Sequence, residues 1–174
     1  MISLRVACFS LIVLLVSCEG CKDDPEPIPE IQKLPPATQT GARTFGCLID
    51  GKAWVVTGYV EVFAMYQEGI PSILAEQRRN TIDRAISIEI SNADLQPGTY
   101  ELTKLPEGRG VLSELFMKNC GYETSNETRG TLTINHFDPE KLIVSGTFEF
   151  EAFSSGCNEL VKVTEGRFDL VYAP

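Results

Sequence analysis

Residues 44–57 constrain the fold of this chain more than any other stretch. Phe45, Cys47 and Ile49 fall at every second position, Asp50-Gly51 follows, and residues 53–57 return as a second apolar run. A period of two is the repeat of a half-buried strand. Asp-Gly between two such runs is a hairpin signal, because both turn positions tolerate positive φ. The same alternation recurs downstream. Ile82, Ile86, Ile88 and Ile90 alternate with Asp83, Ser87, Glu89 and Ser91, and Leu132, Ile134 and His136 with Thr131, Thr133 and Asn135. Residues 142–153 place Val144, Phe148, Phe150 and Ala152 on one face. Residues 58–67 are β-branched and aromatic, as in a strand covered on both sides. Residues 99–102 read as a short strand after a Pro97-Gly98 turn, residues 111–118 as another, and Asp138-Pro139-Glu140-Lys141 as a turn. In the last run Val161 and Val163 are odd, whereas Phe168, Leu170 and Tyr172 are even. One extra residue near Gly166, a bulge, keeps both sets facing the core; a turn between two short strands is the other solution. No stretch has the pattern of an amphipathic helix. The expected fold is all-β, an antiparallel sandwich or partly open barrel of about nine or ten strands, formed by residues 41–174 as a single domain.

The N-terminal region has a different character. Arg5 precedes an apolar run over residues 6–16, the architecture of a signal peptide and too short for a membrane-spanning helix. Leu15-Val16-Ser17-Cys18 closes it and resembles the lipobox of bacterial lipoproteins. The resemblance implies cleavage after residue 17 and lipid (palmitate among the acyl chains) on Cys18. An ordinary secretory signal cut near Ser17 is the competing reading, and Cys21 is a poorer lipidation candidate, with Glu19 and Cys18 before it. Residues 18–40 hold Pro25, Pro27, Pro29, Pro35 and Pro36, five of the chain's ten prolines. Proline fixes φ and donates no hydrogen bond, so this acidic stretch is expected to be an extended spacer. Lys22-Asp23-Asp24 resembles the surface-export signal of Bacteroidetes lipoproteins.

The chain carries 15 basic and 24 acidic residues, a net charge of −9. Removing residues 1–17 takes away Arg5 and leaves −10. Scattered cations in an acidic chain exclude nucleic acid as a natural partner. Of the six cysteines, Cys8 leaves with the leader and Cys18 takes the lipid. Cys47 sits within a strand pattern and is expected to be buried. Cys120 and Cys157 lie in polar, glycine-flanked segments read as loops, and are the favoured disulfide, with a pairing of Cys47 left open.

Phe45-Gly46-Cys47-Leu48-Ile49-Asp50-Gly51-Lys52-Ala53-Trp54 resembles the opening hairpin of a family of uncharacterised Bacteroidetes lipoproteins. Gly98-Thr99-Tyr100, Gly130-Thr131-Leu132-Thr133-Ile134, Val144-Ser145-Gly146-Thr147-Phe148 and Glu165-Gly166-Arg167-Phe168 are similar to its later strands. The resemblance implies an all-β envelope domain and brings no activity or site residue with it.

The motifs of catalysis are missing from the sequence. With His136 as the single histidine no HExxH exists, and there is no GxSxG. His136 is expected to be a hydrogen-bonded core residue. Gly108-Arg109-Gly110 reads as a loop, not a phosphate cradle. A carboxylate pair such as Glu149 and Glu89 would have to be assembled by folding. Neither a metal nor a cofactor is expected. Trp54, Tyr59, Phe63 and Tyr66 are core residues or, if exposed, a binding face for a glycan or protein. The expected function is a non-catalytic binding or envelope-component domain, lipid-anchored to the outer membrane with the surface face open to it. The alternatives are a small-ligand carrier with a barrel cavity and a hydrolase using dispersed carboxylates.

Overall fold

The computed structural model describes residues 26–57, 61–67, 70–79, 82–91, 95–114 and 119–174. Among them are eleven strands: β1 (Thr44–Ile49), β2 (Lys52–Thr57), β3 (Val62–Gln67), β4 (Ile70–Arg79), β5 (Ile82–Ile90), β6 (Gly98–Glu101), β7 (Gly108–Glu114), β8 (Cys120–Glu123), β9 (Gly130–Asp138), β10 (Ile143–Ser154) and β11 (Glu159–Ala173). One layer has the order β6-β9-β10-β11-β1-β2, and the other β3-β4-β5-β7-β8. All pairings are antiparallel except β11–β3, which joins the layers through Tyr172↔Ala64 and Ala173↔Met65. The opposite seam is the single pair Phe153↔Glu123 between β10 and β8. The sheet thus folds over on itself as a sandwich or open barrel, with β2 and β6 as its ends.

Local chemistry accounts for the long strands. Asp50 and Gly51 have φ of 47° and 76°, the mirror-image turn that matches strand twist. The parity break in β11 is a bulge. Gly46 pairs with Arg167 but Leu48 with Thr164, and Phe148 pairs with Gly166 but Phe150 with Val163. Glu165, at φ 54°, takes up the extra residue. Val161, Val163, Phe168, Leu170 and Tyr172 therefore all face inward.

A second bulge, unforeseen from the sequence, corrects the expectation for His136. Ser145 pairs with His136 and the next residue, Gly146, with Ile134, so Asn135 is extra. Beyond it the inward position passes to Phe137, and His136 is half-buried on the outer face. Between the layers Phe45 and Phe148 pack at 5.0 Å and Phe148 and Phe150 at 6.3 Å. The Phe150 ring lies over Gly110 of the other layer, where an added Cβ would come within 2.8 Å of it, and its cross-strand partner Gly130 leaves room for the Phe150 Cβ, 2.3 Å from where a Gly130 Cβ would be.

Three expectations need further correction. β4 was absent from the sequence reading, since Leu74 to Arg79 favour helix and Pro71 argues against a strand. Pro71 is tolerated because it precedes the first β4–β5 pair, Ser72↔Glu89. Residues 108–110 belong to β7 and Cys120 begins β8, both read from sequence as loops. Residues 30–41 do not behave as a free spacer. A 3-10 turn at Glu30–Lys33 is followed by a strap that crosses the outer face of the first layer. Glu30 accepts a hydrogen bond from the Ala53 N–H of β2 at 2.9 Å, Leu34 is buried, and Pro35 lies over Gly46 of β1.

The outer face of the first layer as candidate functional site

Cross-strand rungs build this face from threonines and charged residues. One rung runs Thr99–Thr133–Thr147–Arg167 across β6, β9, β10 and β11. The next runs Glu101–Thr131–Glu149, and a third pairs Glu151 with Lys162. Alternation turns these residues outward because Leu132, Ile134, Phe148 and Phe150 take the core positions between them. The floor contains two open depressions of about 510 and 690 Å3 that share Thr131, Glu149 and Thr164. Ala37 of the strap lines the larger one, and Arg129 and Lys162 the smaller. Thr99 and Thr133 hydroxyls meet at 3.1 Å. Lys162 lies 2.7 Å from Glu151, whose carboxylate raises the pKa of the ammonium above its ordinary value.

At one end of the face the strap is latched by Asp169, which is 1% exposed. Its carboxylate accepts hydrogen bonds from Thr38 Oγ1 at 2.6 Å, Thr40 N at 2.9 Å, Thr40 Oγ1 at 3.2 Å and Gly41 N at 2.7 Å. Burial alone would raise its pKa. The donors of Thr38, Thr40, Gly41 and Ala42 outweigh burial and hold it below the usual carboxylate value. Asp169 shares a rung with Ser145 and His136. This is not a relay for nucleophilic catalysis. Such a relay needs the imidazole between acid and hydroxyl, and here Ser145 stands in the middle. Its Oγ is buried without a hydrogen-bond partner, and the acid is occupied by the strap.

The candidates from the sequence fall elsewhere. Cys18 and Tyr59 lie outside the described residues. Trp54 is 4% exposed, donates from Nε1 to Gln77 Oε1 at 3.0 Å and packs edge-on against Phe45, so it offers no binding surface. Tyr66 is half-buried against Phe137 and Tyr172, and Phe63 is also half-buried. Cys120 and Cys157 form the disulfide, with Cα atoms 6.0 Å apart, and tie β8 to the β10–β11 turn. Cys47 is free and buried, and desolvation pushes its thiol up to about 12. Glu89 is on the outer face of the second layer, 3.0 Å from Arg109, whereas Glu149 is on the first layer. Among the described residues no group of three or more His, Cys, Asp or Glu is placed to hold a metal, and no helix is long and apolar enough to cross a membrane. One apolar space between the layers, next to Ile88, Leu132 and Tyr172, is about 10 Å3, room for one water at most.

Sequence reasoning found the strands of this face but not the face itself. No local pattern marks Asp169, because its donors lie 128 to 131 residues earlier. A family model described as Domain of unknown function (DUF6252) matches residues 49–171. No curated protein and no solved structure matches the chain.

Proposed function

The chain belongs to the DUF6252 family of domains of unknown function, and on that premise we propose a lipoprotein that acts by binding rather than by catalysis. Its lipid would sit on Cys18, after the leader and lipobox-like residues 15–18, and hold the domain at the outer membrane. Lys22-Asp23-Asp24 would direct it to the cell surface. The observation that carries the binding role is the open, polar double depression on β9, β10 and β11, floored by Thr131, Thr147, Glu149 and Thr164. It combines donors and acceptors in a concavity of the size that small ligands and ligand segments occupy.

The test is a photo-crosslinking residue introduced at Thr147 or at Ser87, which is on the outer face of the other layer, in cells carrying the full chain. Adducts from position 147 and none from 87 are expected. Equal labelling from both, or none from 147, would remove the basis for this reading.

A further inference from the structure

We propose that this face takes a neutral, hydroxyl-rich oligosaccharide; the inference rests on the binding role assigned above. The first argument is the state of the backbone. β9 is paired to β6 and β10, β10 to β9 and β11, and β11 to β10 and β1. Their N–H and C=O groups are paired within the sheet, so no peptide can add along β9, β10 or β11 as a further strand. A ligand is read by side chains alone, and the available set is Thr131, Thr147, Thr164, Glu149 and Arg129. Hydroxyls, a carboxylate and a guanidinium form the complement of sugar hydroxyls, which both donate and accept.

Charge narrows the class. Lys162 is paired with Glu151 at 2.7 Å, and Arg167 lies 3.5 Å from Glu165. With those charges cancelled, Glu101 and Glu149 stand against Arg129. A polyanion finds no row of free cations here, on a chain whose net charge is already −9.

The third argument is an apolar platform on the same face. Phe153 and Leu160 are directly paired across β10 and β11, and they are 40% and 47% exposed. Phe153 is the next outward residue of β10 after Glu151, which lines the smaller depression. From Thr147 to Phe153 the strand covers roughly 20 Å, the span of several sugar units. An exposed ring at the end of a hydroxyl-lined floor provides a surface for the C–H face of a pyranose, while the floor engages its hydroxyls.

Isothermal titration of the full chain in detergent micelles tests this, with neutral hexasaccharides of glucose, mannose and xylose and an oligogalacturonate as the acidic comparison. At least one neutral series is expected to bind, and the acidic one more weakly. Phe153→Ala and Thr147→Val, both at exposed positions, should each weaken binding about tenfold. Ser87→Ala should leave it unchanged, and melting curves will confirm that each variant is folded. Binding by no neutral series, preference for the acidic one, or wild-type affinity in both variants overturns the proposal. A polypeptide adduct from position 147 with no sugar binding overturns the oligosaccharide and leaves the binding role standing. Neither sugar binding nor any adduct overturns both.

Discussion

Replacing Asp169 with alanine should release the strap and weaken the whole fold. Four hydrogen bonds converge on this carboxylate, from Thr38, Thr40 (twice) and Gly41, at 2.6 to 3.2 Å. Hydrogen bonds to a charged group contribute about 1.5–3 kcal/mol each. Their simple sum overstates the loss, because an undocked strap returns its donors to water. The loss is then bounded by what docking contributes, namely these bonds and the burial of Leu34, roughly 1.5–3 kcal/mol, less the entropy of ordering the strap. The expected destabilisation is about 3–5 kcal/mol, read in urea as a lower midpoint with a slightly smaller slope, because the released strap is already exposed before unfolding. Hydrogen exchange should show Thr40 and Gly41 amides losing protection. Asp169→Asn keeps one acceptor and should fall between the two. A loss under about 1 kcal/mol, with those amides still protected, would refute the reasoning.

The remaining predictions probe other supports. Because its donors hold the Asp169 pKa down in the folded state, Asp169 stabilises the fold fully above the unfolded carboxylate value, about 3.9. That contribution is lost as pH falls through the lower folded value. Acid unfolding of the wild type should therefore steepen below about pH 4, while Asp169→Asn lacks this component; identical acid profiles would count against the latch. Cys157→Ser opens a loop with a sequence separation of 37 and should cost roughly 4 kcal/mol in the chain-entropy model. Urea unfolding with and without reductant measures it, and an unchanged midpoint contradicts it. Gly46→Ala places a Cβ 2.6 Å from Pro35 Cδ, so exchange should rise over residues 34–41 with little change in the sheet. Gly130→Ala meets the Phe150 Cβ at 2.3 Å and the Glu149 carbonyl oxygen at 2.8 Å, inside the core. It should cost about 3 kcal/mol in the same urea titration, and a change within error would show that β9 and β10 can shift apart freely at this pair.

How far the fold was legible follows from where each signal lies. The β1–β2 hairpin was readable because Asp50-Gly51 and the flanking alternation are local. The β11 bulge was readable because it leaves a parity break within one strand. The Asn135 bulge leaves none, since His136 and Phe137 can each stand as the next inward residue, and only pairing with Ser145 and Val144 decides between them. β4 resisted because its composition favours helix while its neighbours β3 and β5 impose a strand, a tertiary override of propensity. The strap looked like a spacer because prolines forbid regular structure. Proline does not forbid docking, and Pro35 over Gly46 with Leu34 buried is such a case. The candidate site was the least legible part. It is a set of ordinary outward threonines and charges on four strands, brought into rungs by long-range pairing alone.

The claim that this domain works from a membrane is tested most directly at Cys18. Cells producing the wild type or Cys18→Ser are fed a clickable palmitate analogue and fractionated, and intact cells are then treated with protease. The account predicts a labelled wild-type chain that pellets with membranes and is shaved from intact cells, and an unlabelled, soluble Cys18→Ser chain. A Cys18→Ser chain that stays fully membrane-bound would contradict it.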